Sequence, residues 1–188
     1  MEYTKEHWEN VFTTKQETEV SWFQPYPKTS IEFVKLFNLP FDANIIDIGG
    51  GDSHFVDALL EEGYQNIWVL DISENALSRA KKRLGEKANK VNWVVSDIID
   101  FIPNITFDFW HDRAAFHFLT TEENINKYVG IAEKGIKTNG ILVLGTFSET
   151  GPTKCSGLEI KQYSETSMSS RFELSFDRIK CITEEHQT

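Results

Sequence analysis

The chain has 188 residues, 40% of them hydrophobic, so it is long enough to bury one sizeable core, and its composition excludes a disordered protein. Its 29 acidic residues outnumber its 19 basic ones, and the formal net charge of -10 argues against general binding to nucleic acid or to anionic membranes. Two cysteines, a polar N-terminus and the lack of a membrane-length apolar run favour a cytoplasmic protein with reduced thiols.

The first 40 residues predict a helical cap. The segment from Thr4 to Phe12 has helical periodicity, with Trp8 and Phe12 on one face. The two prolines of SWFQPYPKTS then predict an extended or turning segment. Ser30 suits the N-cap of a second helix that runs to Phe37.

Residues 44–147 alternate strand patterns with helix patterns. The predicted strands are NIIDI, NIWVLDI, VNWVV, FDFWH and ILVLGTF. The first two intervening helices are predicted to stop at Gly63 and Gly85, with Ser73 as the cap of the second. A capping box, TTEE, opens a third helix at Thr120 that runs to about Lys134. This alternation predicts an α/β fold, a Rossmann-like, doubly wound and mostly parallel sheet with helices on both faces.

Residues 148–188 are less regular than the preceding core. The stretch FELSFDRIKCITEE predicts one or two strands, antiparallel at the sheet edge. We therefore expect a single domain over residues 1–188. It would consist of the cap (1–40), the core (44–147), and a substrate-side and sheet-edge segment (148–188).

The stretch IIDIGGGDSHF places an acid and three glycines at the end of the first predicted strand. Gly49 and Gly51 supply two glycines of the dinucleotide pattern G-x-G-x-x-G, but His54 occupies the third position. Asp47, two residues before the first glycine, would also repel a pyrophosphate. An acid at this position suits a positively charged ligand better, although a strand-to-helix turn that merely needs glycine remains an alternative.

Two more acids end the next strands. Asp71 closes the second strand, where a carboxylate can accept both hydroxyls of a ribose, a feature shared with NAD enzymes. Asp97 follows the third strand. Any one of these acids could be an ordinary helix cap, but acids at three successive strand ends favour a binding site.

The stretch IIDIGGGDS resembles the glycine-rich first motif, D-x-G-x-G-x-[GS], of class I S-adenosylmethionine-dependent methyltransferases. The resemblance covers roughly residues 44–147 and implies that S-adenosylmethionine is the cofactor. It places Asp47 on the methionine ammonium, directly or through water, and Asp97 on the adenine amino group. The implied cofactor-binding residues of this core are Asp47, Gly49, Gly50, Gly51, Ser53, Asp71, Ile72, Asp97 and Ile98.

The N-terminal stretches HWENVF and SWF resemble two subgroups of this family. These are small bacterial enzymes near the thiopurine S-methyltransferase type and lysine methyltransferases that act on elongation factors. The resemblance implies that Trp22 and Phe23 close over the cofactor, with core packing as the alternative. The family usually ends its sheet with an antiparallel hairpin. Because this chain stops in or just after the first arm, we expect that hairpin to be incomplete.

The loop after the fourth strand, in FDFWHDRAAFHFL, should face the transferring methyl group. Asp112 and Arg113 resemble the D-R pair of thiopurine-type enzymes. That likeness implies Asp112 at the methionine end of the cofactor and Arg113 as a group that orients an anionic acceptor. His111 or His117 could be a base. The alternatives are packed histidines and an ion pair that stiffens the loop.

These features predict methyl transfer to an O, N or S atom of a small molecule. WHDR differs from the Asn-Pro-Pro-Tyr-like loop of adenine and glutamine amino-methylases, and we find no metal-binding carboxylate set or zinc spacing. Protein lysine methylation, with a basic protein as partner, and a non-catalytic cofactor-binding module are the alternatives. A nucleotide-dependent oxidoreductase is disfavoured by His54. We expect no nucleic-acid and no membrane partner.

Overall fold

The computed structural model describes residues 2–185, with side chains from Thr4 onward. Its helices are α1 (Glu2–Thr14), α2 (Lys28–Leu36), α3 (Phe55–Glu62), α4 (Glu74–Leu84), α5 (Glu122–Gly135) and α6 (Glu165–Phe172). Its strands are β1 (Asn44–Ile48), β2 (Asn66–Asp71), β3 (Val91–Val95), β4 (Phe107–Arg113), β5 (Ile136–Gly145), β6 (Lys154–Cys155) and β7 (Leu158–Glu159). The five core strands lie where the apolar runs predict them.

The main sheet has the strand order β3-β2-β1-β4-β5, and all its neighbouring strands are parallel. The chain moves outward from β1 through β2 to β3, and then returns to the other side of β1 for β4 and β5. The strand order therefore reverses beside β1. In such sheets, the carboxyl ends of the strands at the reversal form a crevice that binds ligands.

Helices cover both faces of this sheet, which confirms the doubly wound fold. One apolar cluster, which includes Trp110, Phe116 and Tyr128, packs beneath α5. The other, which includes Phe55 and Phe109, packs beneath α2, α3 and α4. Neighbouring residues of β4 thus enter opposite layers, as the period of two along a strand requires.

The helix ends follow local signals, with two corrections. Ser73 caps α4 by accepting a hydrogen bond from Ala76 N at 3.1 Å, as predicted. Thr121 caps α5 through Asn124 N at 3.3 Å, but the predicted capping box does not form because the third helical residue is Asn124. Ser30 is not a cap, since α2 begins at Lys28 and buries Ser30 within the helix.

The strands predicted for FELSFDRIKCITEE are wrong. The serine-rich segment before it forms α6, opened by a capping box between Ser164 and Ser167, and residues 173–185 contain neither helix nor strand. Side chains hold this tail instead: Phe176 packs against the α5-side cluster, and Lys180 Nζ lies 5.6 Å from the centre of the Phe33 ring. Within the described residues, β6 and β7 form a separate ribbon and β5 is an edge of the main sheet.

Candidate functional site

The glycine turn joins β1 to α3 at the strand reversal. Gly49 and Gly51 have φ angles of 63° and 49°, in the left-handed region that favours glycine. Gly50 is restricted by space instead, because a Cβ atom there would lie 2.6 Å from Asp47 Oδ2 and 2.7 Å from Val69 Cγ1. The turn thus needs glycine for its conformation at two positions and for its packing at the third.

We expect Gly50→Ala to lower the free energy of unfolding by about 1–3 kcal/mol, because the added methyl group overpacks a buried turn. Denaturant unfolding followed by circular dichroism measures this change. Gly130→Ala is the matched control, because its Cβ position in α5 has nothing within 4 Å apart from chain neighbours and the backbone of the same helix. Its free energy of unfolding should rise by about 0.5–1 kcal/mol. Equal unfolding midpoints for wild type and Gly50→Ala would contradict this account of the turn.

Asp47 lies beneath the turn and is only 3% exposed. Its Oδ1 is 2.7 Å from His111 Nδ1, and His111 Nε2 is 2.9 Å from Ser30 Oγ. The imidazole ring also packs on Phe55, with ring centres 4.1 Å apart. Both nitrogens of His111 are therefore engaged by protein groups. No local pattern indicates this chain of contacts, because its members come from α2, β1 and β4.

Asp71 ends β2 beside the turn and is 6% exposed. It accepts hydrogen bonds from the backbone N–H groups of Ser73, at 2.8 Å, and Gly51. Burial raises the pKa of this carboxyl to about 7. Phe12 of α1 lies over Gly51, beside Asp71. A Cβ atom added to Gly51 would be 3.3 Å from Phe12 Cζ.

Asp97 follows β3 and is half-buried. Its Oδ1 accepts a hydrogen bond from Ile99 N at 3.2 Å, which caps a short 3-10 turn that begins at Ile98. Burial raises the pKa of the Asp97 carboxyl. Ile98 is buried in the α5-side cluster, and Ile72 is half-buried after β2. The predicted residues Asp97, Asp71 and the glycine turn therefore follow three neighbouring strands, β3, β2 and β1.

Polar contacts fasten the N-terminal helix to α4. The Glu9 carboxylate accepts hydrogen bonds from Glu74 N at 2.8 Å and from Ser73 Oγ at 2.8 Å. Arg79 donates to Phe12 O at 3.1 Å and pairs with Asp52 of the glycine turn at 2.9 Å. Sequence reasoning missed this clamp, because its members lie more than 25 residues apart along the chain.

Aromatic rings fill the space between the cap and the strand ends. Trp22 packs edge-on against Trp8, with ring centres 5.8 Å apart, and lies 6.4 Å from Phe12. Phe23 packs edge-on against His54 at 5.6 Å. Both residues predicted to close over the cofactor therefore lie in the cap, beside the glycine turn.

Asp112 is fully buried and faces α5. Its Oδ1 accepts from Ala115 N at 2.8 Å and from Phe116 N at 3.0 Å, and its Oδ2 accepts from the Tyr128 hydroxyl at 2.7 Å. Burial raises the pKa of this carboxyl to about 6. These contacts fix the loop after β4, and a role at the methionine end of the cofactor stays a prediction.

Arg113 and His117 lie on separate sides of the same loop. Arg113 donates to Trp22 O at 3.2 Å and lines a small cavity of about 20 Å³ that also borders His54. His117 is buried against Phe147, with ring centres 5.4 Å apart, and neither ring nitrogen has a partner within residues 2–185. Burial lowers the pKa of His117 to about 4. In this conformation the two side chains, with Asp112, do not line one common cavity, so their catalytic roles stay predictions.

Two further observations concern a membrane span and a metal site. Among the described residues, no helix is long and apolar enough to cross a membrane. The same part of the chain contains no group of three or more His, Cys, Asp or Glu side chains placed to hold a metal ion.

Comparison with known proteins identifies the family to which the chain belongs. A methyltransferase domain family matches residues 45–140, just over half of the chain. The EEF1A lysine methyltransferase 2 of Mus musculus is 28% identical over 110 residues, which cover 52% of this chain and 43% of that protein. The malonyl-(acyl-carrier protein) O-methyltransferase 2 of Ilyobacter polytropus is 27% identical over 107 residues, which cover 56% of this chain and 40% of that protein. The chain thus spans less than half the length of these two curated relatives.

A solved structure has the same fold. The crystal structure of an S-adenosylmethionine-dependent methyltransferase from Clostridium acetobutylicum aligns with a TM-score of 0.67 and 14% sequence identity. The alignment covers 100% of this chain and 93% of that one. At this identity, the likeness shows the architecture alone.

Proposed function

Because the chain belongs to the class I S-adenosylmethionine-dependent methyltransferase family, we propose that it transfers the methyl group of S-adenosylmethionine to an O, N or S atom of a small-molecule acceptor. The observation that carries this proposal is the order of the site along the sheet. Asp97, Asp71 and the glycine turn follow β3, β2 and β1, three strands that lie side by side. Adenine, ribose and methionine have the same order along the cofactor.

The residues of this edge fit that cofactor. The glycine turn leaves no side chain between the backbone and a ligand, and Asp71 offers a carboxylate to two ribose hydroxyls. Asp97 suits the adenine amino group, and Asp47 provides the opposite charge to the methionine ammonium. The bound cofactor would supply a methyl carbon already activated by the sulfonium. The protein then has to position the acceptor and exclude water.

The cap supports an acceptor of small size. Helix α1 is clamped to α4 through Glu9 and Arg79, and the Trp8, Phe12 and Trp22 rings pack together beside the glycine turn. A small molecule fits beneath such a cover more readily than a folded protein. The O-methyltransferase relative is in keeping with transfer to an oxygen atom, whereas the lysine methyltransferase relative supports a protein lysine as the second candidate.

Calorimetry with S-adenosylmethionine, S-adenosylhomocysteine and NAD tests the cofactor. We expect both sulfur compounds to bind and NAD not to bind, because His54 replaces the last glycine of the dinucleotide pattern. Binding of NAD without S-adenosylmethionine would refute the proposal.

A methyl-release assay then tests the acceptor. The wild-type chain is offered a panel of small O, N and S nucleophiles in one arm and a protein lysate in the other. Turnover confined to the small nucleophiles supports the proposal, whereas labelling of protein lysine favours the second candidate. Cofactor binding without turnover in either arm would indicate a non-catalytic module.

A further inference from the structure

Three buried polar side chains form a chain of hydrogen bonds beneath the glycine turn. His111 Nδ1 lies 2.7 Å from Asp47 Oδ1, and His111 Nε2 lies 2.9 Å from Ser30 Oγ. Each of the three residues is 5% exposed or less. The contacts join the cap to the core of the fold, because Ser30 belongs to α2, His111 to β4 and Asp47 to β1.

The strand register and an aromatic contact hold the imidazole in place. Asp47 of β1 pairs directly with His111 of β4, so the two side chains leave neighbouring strands on the same face of the sheet. The Phe55 ring packs on the imidazole, with ring centres 4.1 Å apart. Asp47 Oδ2 lies under the turn, 2.6 Å from the position of a Cβ atom on Gly50. His111 therefore holds one oxygen of the carboxylate while the other faces the turn.

The chemistry of the two ends limits where the hydrogen atoms of this chain can lie. An ionised carboxylate can only accept, so Nδ1 of His111 donates to Asp47. The Ser30 hydroxyl either donates to Nε2, which leaves the ring neutral, or accepts from it, which makes the ring a cation. A cationic ring beside Asp47 would cancel the negative charge that a positively charged ligand requires. The neutral ring, with the hydroxyl as donor, keeps that charge.

The proposed function gives this arrangement a role, and the inference rests on it. S-adenosylmethionine carries an ammonium and a sulfonium, and Asp47 carries the opposite charge. We infer that Ser30 and His111 are positioning residues for this cofactor: Ser30 donates to Nε2 and keeps the ring hydrogen on Nδ1, and Nδ1 fixes the Asp47 carboxylate beneath the turn. A helix of the cap thus helps to set the charge that the cofactor meets in the core.

Burial and hydrogen bonding disfavour two other roles for these residues. An Asp, a His and a Ser in hydrogen-bonded order also form the catalytic triad of serine hydrolases. A nucleophilic hydroxyl must meet its substrate, whereas Ser30 is buried within α2. A base for the acceptor would need a free nitrogen, whereas both nitrogens of His111 are engaged by protein groups.

Nitrogen-15 NMR of the histidine-labelled protein, near neutral pH, tests the positions of the hydrogen atoms. The signals of His111 are identified by their loss in His111→Asn. We expect wild type to carry a hydrogen on Nδ1 and none on Nε2. In Ser30→Ala, the Nε2 signal should move to that of a nitrogen without a hydrogen-bond donor. A hydrogen on Nε2 of the wild-type ring would overturn the inference.

Calorimetry with S-adenosylmethionine measures the effect on the cofactor. His111→Phe keeps a ring against Phe55 and removes both hydrogen bonds, so we expect the affinity to fall about 10- to 100-fold, as for the loss of a hydrogen bond to a charged group. His111→Asn should regain most of that affinity, because its amide carries an N–H group at the position of Nδ1. Ser30→Ala, which loses a neutral hydrogen bond, should bind about two- to tenfold less tightly.

The controls separate positioning of the cofactor from a general loss of structure. Ser169→Ala makes the same change in α6, where the hydroxyl donates to Glu165 O at 2.8 Å, and it should bind like wild type. Wild-type affinity in Ser30→Ala, or no gain of His111→Asn over His111→Phe, would contradict the inference. If His111→Phe does not fold, Ser30→Ala and the NMR signals decide it. If wild type does not bind the cofactor, the proposed function fails and this inference with it, an outcome distinct from the others.

Discussion

Asp71→Ala is expected to bind S-adenosylmethionine about 10²- to 10⁴-fold less tightly than wild type. Two ribose hydroxyls lose a charged acceptor, and each such hydrogen bond is worth about 1.5–3 kcal/mol. The backbone N–H groups of Ser73 and Gly51 lose their acceptor too, which loosens the turn. Calorimetry measures the affinity, and Asp42→Ala, at an exposed acid before β1, is the control that should bind normally.

The same carboxyl should make binding depend on pH. Burial raises the pKa of Asp71 to about 7, so near neutrality the free protein is a mixture of carboxyl and carboxylate. The carboxylate is the better acceptor for ribose hydroxyls. Affinity should therefore rise as the pH is raised through 7, and fall up to about tenfold per pH unit below it. Asp71→Asn should remove this dependence, and an unchanged pH profile in that variant would assign the titration to another group.

Much of the fold could be predicted because its signals are local. Continuous apolar runs mark the five core strands, and Ser73 and Gly63 mark helix ends through contacts within a few residues. The structure of the C-terminal tail could not be predicted in this way. Its apolar residues resemble a strand, but Phe172 and Phe176 pack into the α5-side cluster, and nothing in the local pattern encodes that distant surface.

The candidate site likewise contains residues that the sequence could predict and contacts that it could not. Acids at strand ends are brought to one edge by topology alone, so Asp71 and Asp97 could be proposed from sequence. The contacts around Asp47 could not, because its partner His111 lies 64 residues away along the chain, and Ser30, the other partner of His111, lies 81 residues from that histidine. One signal in the sequence of β4 could have been used to separate its functional residues. The period of two along β4 places Asp112 on the opposite face from His111 and Arg113, which separates their environments.

His117→Phe should make the protein less sensitive to acid. Burial lowers the pKa of His117 to about 4, against about 6.5 in an unfolded chain. Between these values the unfolded state binds a proton that the native state does not, so wild-type stability falls as the pH is lowered. Linkage gives a loss of about 2 kcal/mol between pH 7 and pH 5 from this residue. Phenylalanine keeps the ring against Phe147 and removes the titration, so denaturant unfolding of the variant at both pH values should show a smaller loss.

Asp112→Asn provides the matched control because it tests the opposite sign. Burial raises the pKa of Asp112 to about 6, so the native state binds a proton that the unfolded state does not between about pH 4 and pH 6. This carboxyl therefore stabilises wild type as the pH falls, and Asp112→Asn should be more sensitive to acid than wild type, whereas His117→Phe should be less so. If His117→Phe loses as much stability as wild type between pH 7 and pH 5, the burial of His117 does not suppress its protonation. The imidazole would then be free to act as a base that titrates near neutrality.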